Sequence, residues 1–263
     1  MPFAHVNGQS LWYEDTGGDG PPVVFSHGFL MDREMFAENV AALAPAYRCI
    51  IWDQRGFGKT GPVDAAFTYW DSALDLLALL DHLGIERATL VGMSQGGFIS
   101  LRAALLAPER VSALVLIDTR SGVDAPETIA AFGGLDAEWR ANGAQNVKPN
   151  LAGLLGIAHA PDAWFAKWDC IGMEDLHFPI VALAGRDDIT DRLSEIAAPS
   201  LVIHGEADNA IAFEHGAALC AALPNSEALV AVPNAGHAAN MQCPELVNAA
   251  LLAFLERSLS SRA

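Results

Sequence analysis

Short apolar runs alternate with longer stretches of helical spacing along the first half of this chain. The apolar runs contain few polar positions, which is typical of strands that are buried on both faces. They occupy residues 23–25, 47–52, 89–91 and 111–117, and the helical stretches are 32–43, 70–83 and 98–106. Asp32 is well placed to cap the first of these helices. Such alternation predicts an α/β fold with a mostly parallel sheet and helices on both faces.

The two ends of the chain extend this predicted sheet. Asn7-Gly8 lies between two short segments with strand character and is a strong signal for a hairpin turn, so an antiparallel edge is expected there. Further along, residues 199–204 and 226–232 again have strand character. Helical stretches follow them, at 213–223 and 244–259.

The pattern changes between residues 119 and 198. This segment has short helical pieces broken by Gly and Pro, and it contains no clear core strand. We therefore predict a helical cap, residues 119–198, inserted after the sixth strand. The core domain then consists of residues 1–118 and 199–263.

A serine stands where one predicted strand turns into a helix. The segment Gly92-x-Ser94-x-Gly96 follows the apolar run 89–91 and precedes a helical stretch. A serine at the tip of so tight a turn needs neighbours without side chains, because strand and helix approach each other closely. The turn also brings Ser94 to a helix N-terminus, which favours developing negative charge. Ser94 is the candidate nucleophile.

A nucleophilic serine needs a base, and the base needs a group that orients it. Asp208 follows the predicted strand 199–204, and His237 follows the predicted strand 226–232. The carboxyl ends of parallel strands meet at one edge of a sheet, so these side chains are expected close to Ser94. Asp118, which also ends a strand, is the alternative acid.

The composition narrows the function classes. The chain has 263 residues and a formal net charge of -17, which argues against nucleic acid and anionic membrane surfaces as partners. Its first residues lack the pattern of a signal peptide, and no apolar run is long enough to span a bilayer. The four cysteines are scattered without metal-ligand spacing, as is usual for reduced thiols in the cytoplasm, where we expect the protein.

Five motifs in this order resemble the α/β-hydrolase superfamily over essentially the whole chain. They are His27-Gly28-Phe29, Asp53-x-Arg55-Gly56-x-Gly58-x-Thr60, Gly92-x-Ser94-x-Gly96-Gly97, Gly205-x-x-Asp208 and Gly236-His237. Within that superfamily the chain is most similar to 3-oxoadipate enol-lactonases and small bacterial carboxylesterases. The resemblance implies the α/β-hydrolase fold and a Ser94–His237–Asp208 triad. It also implies an oxyanion hole made by the backbone N–H groups of Phe29 and Gln95.

These residues lead to a hypothesis about the reaction. A serine nucleophile predicts hydrolysis of a small carboxylic ester or lactone through an acyl-serine intermediate, and it excludes relatives that use an aspartate nucleophile. No metal-ligand set or dinucleotide fingerprint is present, so no metal or cofactor is expected. The same triad would also serve a C–C bond hydrolase or a cofactor-free perhydrolase. A ligand-binding signalling protein with a retained triad is the alternative outside enzymology.

Some aromatic and histidine residues allow two interpretations. Trp139, Trp164 and Trp168 lie in the predicted cap and form either an apolar substrate pocket or the core of the cap. His27 is expected to brace the oxyanion loop. His204 either lines the pocket or packs in the core, and packing is favoured.

Overall fold

A computed structural model describes residues 3–157 and 162–260 of the chain. Within those residues the strands form one eight-stranded sheet in the order β1-β2-β4-β3-β5-β6-β7-β8. The strands are β1 Phe3–Val6, β2 Gln9–Asp15, β3 Pro22–Ser26, β4 Arg48–Trp52, β5 Ala88–Met93, β6 Val111–Ile117, β7 Ser200–Gly205 and β8 Val230–Val232. From β4 to β8 every neighbouring pair is parallel, and the β1–β2 and β2–β4 pairs are antiparallel. The predicted α/β-hydrolase fold is confirmed.

Helices connect the strands and cover the sheet. They are α1 Ala37–Leu43, α2 Tyr69–His82, α3 Gln95–Leu106, α4 Pro126–Asn142, α5 Lys148–Leu154, α6 Asp162–Trp168, α7 His177–Ala184, α8 Phe213–Ala222, α9 Ala239–Gln242 and α10 Pro244–Ser260. A complete capping box begins α2, in which Thr68 and Asp71 each accept a hydrogen bond from the other's backbone N–H. None of the helices in the described ranges combines the length and the apolar character that a bilayer span requires.

The central strands carry the core. All six residues of β5 are buried, as are all but one of the residues in β6. Both strands have neighbours on either side and helices on both faces, so nearly every position faces apolar groups. The near-continuous apolar runs in the sequence reflect this burial.

Three elements differ most in extent from the sequence prediction. The stretch 32–43 begins with a 3-10 turn, Arg33–Phe36, before α1, and Asp32 accepts a hydrogen bond from the Glu34 N–H as its cap. Helix α3 begins at Gln95, directly after the serine. Strand β8 has only three residues. It forms one edge of the sheet, where a strand has a neighbour on one side only, and a long strand is less stabilised there than in the middle of the sheet.

Helices α4 to α7 lie between β6 and β7, in the segment 119–198 that is called the cap below. Two buried side chains hold it to the rest of the protein. The indole Nε1 of Trp168 donates to the Leu30 carbonyl at 2.7 Å, in the loop after β3. Arg102 of α3 reaches the Asp187 carboxylate at 2.6 Å. The cap is thus attached directly to the loop after β3 and to α3, the helix that begins right after Ser94.

Candidate active site

The turn between β5 and α3 sets the position of Ser94. Its backbone has φ 50° and ψ -114°, in the left-handed region that favours glycine. A Cβ atom at Gly92 would collide with the Gly96 carbonyl, and a Cβ atom at Gly96 would collide with the Ser26 carbonyl of β3. Glycine is therefore required at both positions by the close approach of helix and strands. This is the strained strand-to-helix turn that the motif predicts.

Three polar side chains form one hydrogen-bonded chain at this end of the sheet. The Ser94 hydroxyl lies 2.9 Å from His237 Nε2, and His237 Nδ1 lies 2.8 Å from Asp208 Oδ2. Because a carboxylate only accepts, Nδ1 carries the imidazole proton and donates it to Asp208. His237 Nε2 is then left to accept the proton of the Ser94 hydroxyl. All three residues are buried.

The environment of Asp208 keeps its carboxylate ionised. Its Oδ1 atom accepts hydrogen bonds from the N–H groups of Ala210 and Ile211, at 2.8 and 2.9 Å. Burial by itself raises the pKa of this carboxyl, but hydrogen bonds from His204 and His237 outweigh it, and the pKa lies well below its usual range. Asp208 is thus a fixed negative charge beside the imidazole.

Asp118 occupies a neighbouring but different position. It follows β6, is fully buried, and its two carboxylate oxygens accept the N–H groups of Gly205 and Ala239, at 2.8 and 2.9 Å. The carboxylate therefore ties the end of β7 to the segment that follows His237. Burial raises the pKa of Asp118 to about 7, against the opposing charges of the nearby histidines.

One group of side chains among the described residues is compact enough to be considered as a metal site. Ligand atoms of Asp118, His204 and Asp208 lie within 4.8 Å of one another. All four carboxylate oxygens already accept hydrogen bonds, and His204 Nε2 lies 2.8 Å from the Ile211 carbonyl. Each carboxylate oxygen and His204 Nε2 therefore already has a hydrogen-bond partner within the protein.

The two expected oxyanion donors belong to segments next to Ser94. Gln95 is the first residue of α3, where a helix leaves its N–H groups without partners in the helix. Phe29 lies in the loop that follows β3, and its side chain lines the same cavity as Ser94. Both assignments stay predictions, because they concern an anion that forms during a reaction.

A buried network of side chains joins these two donor segments. His27 Nε2 accepts the Gln54 N–H at 3.0 Å, so its Nδ1 carries the proton and donates to the Gly28 carbonyl at 2.8 Å. The Gln54 amide donates to the His27 carbonyl and accepts from the Gln95 side chain, which in turn accepts the Tyr69 hydroxyl at 3.0 Å. Burial lowers the pKa of His27 and so favours this neutral tautomer.

The sequence predicts the bracing position of His27 but not the parts of Gln54 and Tyr69 in this network. Gln54 follows a strand as an ordinary polar residue, and Tyr69 lies in the first turn of a helix. Nothing in their local pattern indicates that they meet Gln95.

A cavity of about 670 Å³ opens above Ser94 and His237. Its walls are mainly apolar and come from the loop after β3 and from the cap. The apolar lining includes Phe29, Leu30, Phe98, Ala131, Phe132, Leu135, Val147, Leu151, Leu155, Leu183 and Ile211. Arg120 and Arg186 also line it, and both form ion pairs with Asp124.

The three cap tryptophans are buried, and none of them lines this cavity. Trp139 packs in the cap core, and the face of Trp164 is covered by the Lys167 ammonium at 4.3 Å. Trp168 is bonded to the Leu30 carbonyl, so it holds the loop that carries Phe29. Of the two interpretations open from the sequence, the structure places these rings in the cap core. Smaller apolar residues of α4, α5 and α7 line the cavity instead.

A parallel sheet with a serine at a strained strand-to-helix turn, followed by an acid and a histidine after later strands, defines the class of α/β-hydrolases. The sequence model of the alpha/beta hydrolase fold matches residues 21–159. The chain belongs to this family.

Individual relatives agree with this assignment. The chain is 36% identical over 262 residues to a Mycobacterium tuberculosis protein provisionally named non-heme bromoperoxidase BpoC, covering 93% of this chain and 97% of that protein. It resembles the structure of a thermophilic esterase from Thermogutta terrifontis, with a TM-score of 0.87, 29% identity, and coverage of 98% and 97% of the two chains. It also resembles the enol-lactonase from Burkholderia xenovorans LB400, with a TM-score of 0.88, 26% identity, and coverage of 97% and 100%. These similarities support a hydrolase of this fold.

Replacing Asp118 by Asn tests whether this carboxylate serves the structure. The amide has one acceptor oxygen, so one of the two buried N–H groups loses its partner, and we expect a loss of about 1–3 kcal/mol in the free energy of unfolding. Urea unfolding followed by circular dichroism measures it. Asp64→Asn, at an exposed site, is the control and should change stability by less than about 0.5 kcal/mol. An equally stable Asp118→Asn protein would contradict the structural role.

Proposed function

We propose that the protein is a serine hydrolase that cleaves a small carboxylic ester or lactone through an acyl-serine intermediate. The observation that carries the proposal is the hydrogen-bonded chain from the Ser94 hydroxyl through His237 to the ionised Asp208. In this arrangement the serine proton has an acceptor within 2.9 Å, and the acceptor is held in the correct tautomer. The esterase and enol-lactonase among the structural relatives agree with this chemistry.

The reaction follows from this geometry in two halves. Ser94 Oγ attacks the carbonyl carbon while its proton passes to His237 Nε2. The same proton then goes to the leaving oxygen as the C–O bond breaks, which leaves the acyl group on the serine. Water attacks this acyl-serine and gives a proton to His237, which passes it to Ser94 Oγ as the acyl C–O bond breaks and the carboxylic acid is released. Asp208 stays ionised throughout and stabilises the imidazolium.

The oxyanion of each tetrahedral intermediate needs two hydrogen-bond donors. We assign this role to the backbone N–H groups of Phe29, in the loop after β3, and of Gln95, the residue after the serine. A donor is effective only if it is already in place when the charge develops, because reorganisation at that moment costs free energy. The network through His27, Gln54 and Gln95 supplies this rigidity.

The cavity indicates which substrates fit. A volume of about 670 Å³ lies within the range of small-molecule sites, and the mainly apolar walls favour a hydrophobic acyl or alcohol group. Arg120 and Arg186 both form ion pairs with the carboxylate of Asp124, so their positive charges already have a partner other than substrate. The apolar part of the wall is therefore expected to determine substrate size.

Labelling with a fluorophosphonate probe tests the nucleophile first. We expect the folded protein to be modified on the peptide that contains Ser94, because only an activated serine reacts quickly, and mass spectrometry identifies that peptide. Ser94→Ala should abolish labelling and lower kcat by about 10⁴-fold or more. Ser10→Ala, which changes an exposed serine in β2, is the matched control. A folded protein that is never labelled at Ser94 would refute the proposal.

Two adjacent alanines of α4 test the cavity. Ala131 lines it and Ala130 does not, although both are exposed residues of the same helix. Ala131→Leu adds apolar bulk to the wall, so kcat/KM for a long p-nitrophenyl ester should fall relative to that for p-nitrophenyl acetate. Ala130→Leu should leave this ratio unchanged. Equal effects of the two substitutions would mean that substrate does not occupy the cavity.

Perhydrolysis is a second candidate, favoured by the name of the Mycobacterium tuberculosis relative. In that reaction hydrogen peroxide attacks the acyl-serine in place of water and releases a peroxycarboxylic acid. The discriminating assay supplies an ester with peroxide and bromide and measures bromide oxidation beside carboxylate release. We expect carboxylate release to be faster, and both reactions to be lost in Ser94→Ala. Faster formation of the peracid would make perhydrolysis the main activity.

A further inference from the structure

A second histidine lies against the acid of the triad. His204 is the fifth residue of β7 and is fully buried. Its Nε2 atom lies 2.8 Å from the Ile211 carbonyl and 3.3 Å from Asp208 Oδ2. Both neighbours are acceptors, so Nε2 carries a proton, which is hydrogen-bonded to the Ile211 carbonyl and also approaches Asp208 Oδ2. The oxygen it approaches is the one that accepts the hydrogen bond from His237.

We propose that His204 is a positioning residue of the active site, which acts through Asp208 by donating its Nε2–H to the oxygen that also binds His237. This inference rests on the proposed hydrolase function. The second donor draws negative charge away from the imidazole of His237 and holds the carboxylate in the orientation that His237 requires. The site is then a chain of four side chains, Ser94, His237, Asp208 and His204.

The His204 ring is closely packed between Phe213 and Gly216. The ring meets Phe213 edge to face at 5.8 Å, and a Cβ atom at Gly216 would run into its Nδ1 side. Among the described residues, Nδ1 has no hydrogen-bond partner although it is buried. An unsatisfied buried polar atom is destabilising, and an apolar side chain at this position would avoid that penalty. The imidazole is therefore explained by what its Nε2–H does.

Charged and titratable groups face His204 from each neighbouring element. Asp118 after β6, Asp208 after β7 and His215 of α8 act on it directly, whereas Arg120 and Glu214 act on His215. Burial lowers the pKa of His204, but the Asp208 hydrogen bond and the Asp118 charge raise it by more. Burial and the charge of Arg120 lower the pKa of His215, which favours its neutral form.

Loss of the His204 donor has the same consequence whether that imidazole is neutral or cationic. Asp208 Oδ2 then presents more negative charge to His237 and stabilises its protonated form. Since only neutral His237 accepts the serine proton, activity should be lost at a higher pH on the acidic side. A residue that merely fills space would change kcat or stability without moving the pH at which activity is lost.

The test compares His204→Met with His204→Gln. Methionine has a similar length without a donor, whereas the glutamine amide places an N–H near the position of Nε2. We expect His204→Met to move the acid limb of kcat/KM upward by about one pH unit, the tenfold effect of one hydrogen bond to a charged group. His204→Gln should keep the limb near its original position. His215→Met, a nearby histidine without contact to Asp208, should not move it.

The outcomes separate this inference from the proposed function. If the parent protein hydrolyses esters through Ser94 but His204→Met leaves the acid limb in place, His204 is structural and the hydrolase proposal stands. If Ser94 in the folded parent is inert towards both the fluorophosphonate probe and esters, the hydrolase proposal itself fails. Nitrogen NMR of the unaltered protein gives a test that does not depend on variants folding. A resonance showing unprotonated Nε2 at His204 would overturn the inference.

Discussion

The close contact between the start of α3 and strand β3 fixes the geometry of the whole site. At Gly96 the helix backbone packs directly on the Ser26 carbonyl, with no room for a side chain. This contact forces the sharp turn at Ser94 and directs its hydroxyl toward the carboxyl ends of the strands. It also brings the loop after β3, which holds Phe29, next to the serine. A single steric requirement thus sets both the nucleophile and one side of the proposed oxyanion hole.

Asp118 performs the corresponding task for the other half of the site. Asp208 and His237 belong to loops that follow different strands. The hydrogen bonds between the strands do not by themselves fix how these two loops lie relative to each other. By accepting one backbone N–H from each side, the buried carboxylate fixes the distance between these loops. Asp118 and Asp208 therefore differ in the groups that contact their carboxylates. Asp118 accepts hydrogen bonds from backbone amides, whereas Asp208 Oδ2 contacts imidazole rings. Sequence position alone does not reveal this difference, since both residues follow a strand.

Local patterns predicted the elements that local physics determines. The hairpin at Asn7-Gly8, the buried central strands and the turn around Ser94 depend on neighbouring residues, and they appear where the sequence places them. The tryptophans of the cap and the Gln54–Gln95 contact depend on segments far apart in the chain. Apolar character shows that Trp168 is buried, but the partner of its indole N–H is set by tertiary packing. The same holds for His204, whose significance comes from one oxygen of Asp208.

The hydrogen bond from the Trp168 indole to the Leu30 carbonyl links the cap to the loop that carries Phe29. Leu30 directly follows Phe29, so a displacement of α6 is transmitted to the loop that carries a proposed transition-state donor. Thermodynamic coupling of this kind is reciprocal, and a ligand that favours one position of the cap also favours one position of the loop. For the proposed hydrolase, substrate selection and rate would then be linked. Sequence changes in the cap that widen the range of substrates would preserve turnover only where they leave the docking of α6 intact.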